Sequence, residues 1–190
     1  MATAAVVKGA GHGRIGDENL TWHIRQVAGP GQPDLIFTFG LPGDQPLAGD
    51  WTGKGWDTAG VFRDGNWLLR NRNSAGEPDL FFNFGAEGDV PVVGDWNGDG
   101  IDGIGVVRGS RWLLKQFPSS GPPDIEFDFG DAAAIPVVGD WNGDGLDSIG
   151  RFSSGNWTLR NQLSAGTPDY TFAFGAPNGI PVVWGRITGG

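Results

Sequence analysis

Residues 90–130 read VPVVGDWNGDGIDGIGVVRGSRWLLKQFPSSGPPDIEFDFG, and this stretch decides the fold because it is one unit of a strict repeat. Its landmarks return every 45 residues: Trp22, Trp67, Trp112 and Trp157, then Phe39-Gly40, Phe84-Gly85, Phe129-Gly130 and Phe174-Gly175. The Pro-Asp pairs ending at Asp34, Asp79, Asp124 and Asp169 keep the same spacing. A Gly-Asp-Trp series runs through Asp50-Trp51, Asp95-Trp96 and Asp140-Trp141, and Val182-Val183-Trp184 takes its fourth place. Self-similarity at such a period marks an architecture in which each unit buries its apolar face on a neighbour.

Four short β runs are legible within the unit, at positions named a to d. Residues 90–96 form a, a Gly-Asp loop leads to b at about 103–108, a tight turn at Gly109-Ser110 leads to c at 112–116, and a loop over 118–123 returns into d. Run d alternates, with Ile125, Phe127 and Phe129 on one face and Glu126 and Asp128 on the other, the period of a half-buried strand. A c–d pairing that sets Leu68 opposite Phe81 also sets Arg70 opposite Asp79. The same spacing gives Arg25 with Asp34, Lys115 with Asp124 and Arg160 with Asp169, which are read as exposed pairs that fix register and stabilise little.

Four-stranded antiparallel units repeated around an axis make a β-propeller, which leaves only short, protected edges. The predicted fold is all-β, a four-bladed β-propeller in a single domain over 1–190, with blades at 1–44 plus 180–190, 45–89, 90–134 and 135–179. The chain opens on material for b, c and d and ends on a lone a run at 180–184, so pairing these ends is expected to close the ring and remove two free edges. A β-trefoil needs three units; an open solenoid and a larger ring built from several chains are the other arrangements a repeat allows.

Composition agrees. With 35 Gly, 13 Pro, 9 Trp and 12 Phe, turns and large flat side chains dominate, and almost no helix is expected. A net charge of −9 opposes nucleic acid and anionic membrane surfaces. The absence of cysteine excludes disulfides and thiolate chemistry. No apolar stretch is long enough to span a bilayer, and the first eleven residues lack a signal-peptide core, so a leader for export would be removed or lie outside this sequence.

The loop after position a carries the most specific motif. It reads Asp95-Trp96-Asn97-Gly98-Asp99-Gly100-Ile101-Asp102 and again Asp140-Trp141-Asn142-Gly143-Asp144-Gly145-Leu146-Asp147. Oxygen side chains at the first, third and fifth places, glycine at the sixth and a carbonyl at the seventh reproduce the start of a calcium loop. Two Ca2+ sites are expected, with Asp95, Asn97, Asp99, Ile101 and Asp102 at one and Asp140, Asn142, Asp144, Leu146 and Asp147 at the other. An Asx-rich turn that needs no ion is the alternative. The first loop, Asp50 to Asp57, carries Lys54 at the fifth place; its ammonium is expected to replace the cation between those two carboxylates.

These loops, and Phe-Gly followed by a Gly/Pro-rich turn, make residues 35–183 similar to the FG-GAP and VCBS-type (integrin-like) propeller repeats, especially tandem bacterial ones. Those repeats commonly place their last carboxylate at the ninth position, whereas Asp102 and Asp147 stand at the eighth. The resemblance implies a calcium-stabilised, non-enzymatic binding or adhesion module, secreted or at the cell surface, with a carbohydrate or protein ligand. The competing readings are a structural repeat that self-associates into a larger ring or fibre and, third, a polysaccharide-active hydrolase or lyase.

Residues read as lying outside the repeat are better ligand candidates than those within it: Trp56, Arg63, Arg111, Arg151 and Trp184, with Arg72 and Phe117 beside them. Exposed Trp near Arg or amides can stack on a sugar or anchor a protein; packing between blades is the alternative. Gly11-His12-Gly13-Arg14-Ile15-Gly16 matches a dinucleotide fingerprint without the strand–helix context that chemistry requires. His12 and His23 have no partner for zinc or relay chemistry in the sequence around them.

Overall fold

The computed structural model describes residues 3–5, 19–25 and 30–183. Among them there is no helix, and the strands form three four-stranded sheets and one three-stranded sheet, all antiparallel. One sheet runs β4 (Gln45–Gly49), β5 (Thr58–Arg63), β6 (Asn66–Leu69), β7 (Leu80–Asn83). The next runs β8 (Val90–Gly94), β9 (Gly103–Arg108), β10 (Arg111–Lys115), β11 (Ile125–Asp128), and the last runs β12 (Ile135–Gly139), β13 (Ser148–Ser153), β14 (Asn156–Arg160), β15 (Tyr170–Ala173). The first sheet holds β1 (Thr3–Ala5), β2 (Thr21–Arg25) and β3 (Leu35–Thr38) in that order.

Each repeated residue has a local task. Tight b–c hairpins form at Asp64-Gly65 and Ser154-Gly155, where both residues are left-handed as such turns require (φ 49° and 87°, 51° and 81°). The invariant Trp donates its indole N–H to the carbonyl of the Phe in Phe-Gly: Trp22 to Phe39, Trp67 to Phe84 and Trp157 to Phe174 at 2.9 Å, Trp112 to Phe129 at 3.3 Å. In each unit it also stacks on the strand-d Phe opposite, as Trp67 does on Phe82. The glycine of Gly-Asp-Trp has no room for a side chain. A Cβ on Gly94 would lie 2.8 Å from the Trp96 ring and 2.9 Å from Val138 of the next unit.

The core lies between consecutive sheets. Trp22, Phe37 and Phe39 pack on Ala59 and Val61 of β5; Trp67 and Phe84 pack on Ile104 and Val106 of β9; Trp112 and Phe129 pack on Ile149 of β13. The fourth cluster, Val137, Phe152, Trp157 and Leu159, is confined to its own sheet. Strands β4, β8 and β12 lie side by side, so the a positions are innermost and the d positions outermost.

Two expectations need correction. Ile180–Val183 carries no strand and Trp184 lies outside the described residues, so among the described residues no strand pair joins 180–183 to the first sheet. The b position of that sheet is occupied by β1, whose Ala4 faces Ile24 where Gly60, Gly105 and Gly150 face Leu69, Leu114 and Leu159. The c–d pairs differ too. Leu68 does face Phe81, and Arg70 approaches Asp79 at 3.5 Å, but the Arg70 and Lys115 side chains are buried. The c–d loop folds over them and offers its carbonyls: Glu77 and Ala75 to Arg70, Pro122 to Lys115, Ser164, Ala165 and Thr167 to Arg160. The matching Asp is turned to the backbone, accepting the N–H of Asn71, Gln116 or Asn161.

Candidate functional site

The three a–b loops emerge at one end of the inner strands. Each closes on its first aspartate, which gathers backbone amides as an Asx turn does. Asp95 Oδ1 accepts the N–H of Gly98 at 2.7 Å and of Asp99 at 3.2 Å, and its Oδ2 accepts Gly100 at 2.9 Å. Asp140 does the same with Gly143, Asp144 and Gly145. Two left-handed glycines per loop, Gly98 and Gly100 at φ 76° and 84°, turn those amides inward. Asn97 Nδ2 donates to Asp99 Oδ2 and Asn142 Nδ2 to Asp144 Oδ2, while Asp99 and Asp144 each accept the N–H two residues on. The Leu146 amide and Asn142 hold the Asp144 carboxyl below the usual range.

The eighth-position aspartates act between loops. Asp102 Oδ2 accepts the Asp50 N–H at 2.7 Å while its own N–H donates to the Asp50 carbonyl at 2.9 Å. Asp147 makes the same pair of hydrogen bonds with Asp95, its Oδ2 accepting the Asp95 N–H and its N–H donating to the Asp95 carbonyl, both at 2.9 Å. The seventh residue adds an apolar step, because a Cβ on Gly53 would meet Ile101 at 3.0 Å and one on Gly98 would meet Leu146 at 2.9 Å. The loops are therefore chained into one surface. Burial, then the charges of Asp57, Asp147 and Asp95, raise the Asp102 carboxyl to about 7, against the lowering pull of the Asp50 N–H.

Of the sequence-predicted metal ligands, the structure brings Asp95, Asn97 and Asp99 together in one loop and Asp140, Asn142 and Asp144 in another, with Ile101 and Leu146 following. It sends Asp102 and Asp147 to the preceding loop instead. Among the described residues no group of three or more acidic, histidine or cysteine side chains is arranged to hold a metal. The donors fit calcium in kind, since all are hard oxygens. Each loop supplies two carboxylates and an amide, and water would complete the shell. In the first loop Lys54 is exposed and pairs with neither Asp50 nor Asp57; the expected ammonium bridge is replaced by amide donors. Burial would raise the Asp50 carboxyl, but the Lys54, Gly55, Thr52 and Gly53 amides outweigh it and lower the pKa.

The five ligand candidates do not converge. Trp56 is 54 % exposed on the first loop, whereas Arg63 lies at the far end of β5. Arg63 is also part of the repeat: Arg108 stands 45 residues on, and each forks onto a buried aspartate, Asp44 at 2.6 and 2.8 Å or Asp89 at 2.7 and 2.9 Å. Arg111 pairs with Glu126 on the outer hairpin. Arg151 is buried, lies 5.1 Å above the Trp112 ring and donates to the carbonyls of Phe129, Ala134 and Gly109. Trp184 lies outside the described residues. Sequence reasoning missed Asp44 and Asp89; their signal was the Phe-Gly-x-x-Gly-Asp spacing, visible in both units. Compared with family models, curated proteins and solved structures, the chain matches none.

Proposed function

We propose that the four sheets are blades of a β-propeller-type module whose task is binding, without catalysis, and that its ligand is a carbohydrate held at the loop end. The chaining of the three loops into one continuous surface carries this reading. That surface combines an exposed indole, Trp56, with exposed oxygen and amide side chains at Asn97, Asp99, Asn142 and Asp144. A flat apolar face beside hydroxyl-matching acceptors and donors is what a sugar ring requires. Calcium, held by Asp95, Asn97 and Asp99 and by Asp140, Asn142 and Asp144, would rigidify the same surface and supply coordination to sugar hydroxyls. A place outside the cell, at its surface or secreted, follows from the FG-GAP resemblance.

The deep polar groups support binding over catalysis. Asp44 and Asp89 are spent on arginines and turn amides, and Arg70, Lys115 and Arg151 on carbonyls. A glycan array probed with and without calcium tests the proposal. Binding that requires calcium and is lost in Trp56→Ala, with the fold intact by circular dichroism, supports it. Calcium-independent binding that Trp56→Ala leaves unchanged places the ligand elsewhere.

A further inference from the structure

The last sheet presents an apolar face that the other sheets bury. Phe39, Phe84 and Phe129 are 4–6 % exposed because the next sheet covers them, whereas Phe174 is 71 % exposed. Phe172 beside it is 45 % exposed where Phe37 of the first sheet is 7 %, and Tyr170 at the rim is 42 % exposed, much as Leu35 is at 39 %.

Val183 occupies the place that strand a takes beside each preceding sheet. A Cβ on Gly49 would meet Val93 at 2.9 Å, one on Gly94 would meet Val138 at 2.9 Å, and one on Gly139 would meet Val183 at 3.1 Å. Val183 is thus docked against β12 as an a strand is docked in each preceding pair of sheets. Its neighbour Val182 is 66 % exposed, while its counterparts Val92 and Val137, covered by their own b strands, are 6 % exposed. No b, c or d strand follows Val183 among the described residues, so the place beside it is open to a sheet that has b, c and d but no a. Among the described residues one sheet answers that description, β1–β2–β3.

We propose that two copies of this chain associate head to tail, residues 181–183 of each adding as the innermost strand on β1 of the other, with the β1–β2–β3 sheet covering Tyr170, Phe172 and Phe174. The register follows from the repeat. Leu47, Val92 and Val137 face Gly60, Gly105 and Gly150, so Val182 of one copy faces Ala4 of the other and Pro181 faces Ala5. The uncovered parts of Tyr170, Phe172, Phe174, Ile180, Val182 and Val183 amount to on the order of 600 Å² on one side, taking 150–250 Å² for a full aromatic. Counting both partners, about 1,200 Å² per contact reaches the size of a specific interface. Two copies closing on each other give eight sheets, within the roughly 4–8 blades that propellers adopt.

The native chain has no cysteine, so engineered thiols report without background. Chains carrying only Ala4→Cys are mixed with chains carrying only Val182→Cys and oxidised. A disulfide-linked heterodimer, alongside a dimeric mass for the parent by sedimentation, is the expected result. If instead the chain carrying both substitutions forms an internal disulfide as a monomer and the mixture forms none, its own first sheet closes the ring and the proposal is overturned. A parent that stays monomeric at every accessible concentration overturns it as well. Should the cysteine variants fail to fold, Phe172→Asp with Phe174→Asp decides: these exposed substitutions convert a folded dimer to a folded monomer or, against the proposal, leave the mass unchanged.

Discussion

Replacing Asp102 by Asn tests the bond between the loops and the electrostatics that load it. In the folded chain this carboxyl titrates at about 7 against an ordinary 3.8, first because it is buried and then because Asp57, Asp147 and Asp95 surround it. Between those values the folded protein holds a proton that the unfolded chain has released, so this group's contribution is whole below the unfolded pKa and is lost as pH rises through the folded one. At about 1.4 kcal/mol per pH unit, the rise from 3.8 to about 7 corresponds to about 4 kcal/mol lost across that window. Asn cannot ionise, yet its Oδ1 can accept the Asp50 N–H that Asp102 Oδ2 accepts at 2.7 Å. Allowing about 1–2 kcal/mol at any pH for burying the Asn amide in place of the carboxyl, the variant gains about 2–3 kcal/mol over the parent at about pH 8 and is about 1–2 kcal/mol less stable at about pH 4, a change of about 4 kcal/mol between the two. In a chain of this length the gain at about pH 8 is roughly 5–10 °C in Tm. Melts followed by tryptophan fluorescence in chelator-containing buffer measure it, and taking the difference between the two proteins cancels the other carboxyls. A difference that does not change with pH, or a variant less stable than the parent at the alkaline end, refutes the reasoning.

The c–d loops make a second comparison: Gly76→Ala costs about 1–3 kcal/mol, because φ is 136° and a Cβ would sit 3.2 Å from Arg70 Nη2. Gly121→Ala, at φ 108° beside the slimmer Lys115 and with nothing within 4 Å, costs less; urea titrations of both variants give the order. Arg108→Ala strands the Asp89 carboxylate, 1 % exposed, and costs about 3 kcal/mol, whereas Asp89→Ala leaves a half-exposed guanidinium to water and costs less. The double variant is then more stable than Arg108→Ala, which a double-mutant cycle by chemical denaturation checks. Arg151→Val, the residue type of Val61 and Val106, uncaps the carbonyls of Ala134 and Gly109 and costs about 2 kcal/mol. Adding Ala134→Asp and Ser153→Arg rebuilds the ion pair of the other units and restores part of the loss in thermal melts.

The all-β class, the four-fold repetition and the strand register were legible because period-two alternation and turn chemistry are local. Run d, the Leu68–Phe81 pairing and the b strand of the third unit need only the sequence within one hairpin. What lies between units was not legible. Asp102 reads as a ligand of its own loop, since adjacency in sequence is all a motif conveys, yet its carboxylate crosses to Asp50, 52 residues away. Arg70 reads as an exposed partner of Asp79, yet the loop wraps it, because the ten residues between β6 and β7 are enough to bring carbonyls around a guanidinium. At the chain ends periodicity says less: no strand is described over 180–183, and the b position of the first sheet is taken by β1, well upstream of β2 in the sequence.

The third and fourth sheets show how a repeat absorbs the loss of one of its ties. In the first two full units an aspartate after the Phe-Gly turn, Asp44 or Asp89, caps that turn and receives an arginine from the end of strand b. In the next unit the aspartate is Ala134 and the arginine is Ser153, so both halves are missing together. The cation reappears two residues earlier on β13, where Val61 and Val106 would place an apolar side chain. From there Arg151 crosses to the preceding sheet. Its Nη1 reaches the Ala134 carbonyl at 3.0 Å and its Nε the Phe129 carbonyl at 3.1 Å, so the same turn is held from its carbonyl side instead of its amide side. Burial lowers the guanidinium pKa, and the Trp112 ring and three carbonyls offset that cost without a carboxylate in contact. A departure from the repeat that looked like a ligand site is thus a structural substitution, and the residue that vanished two positions away is what identifies it.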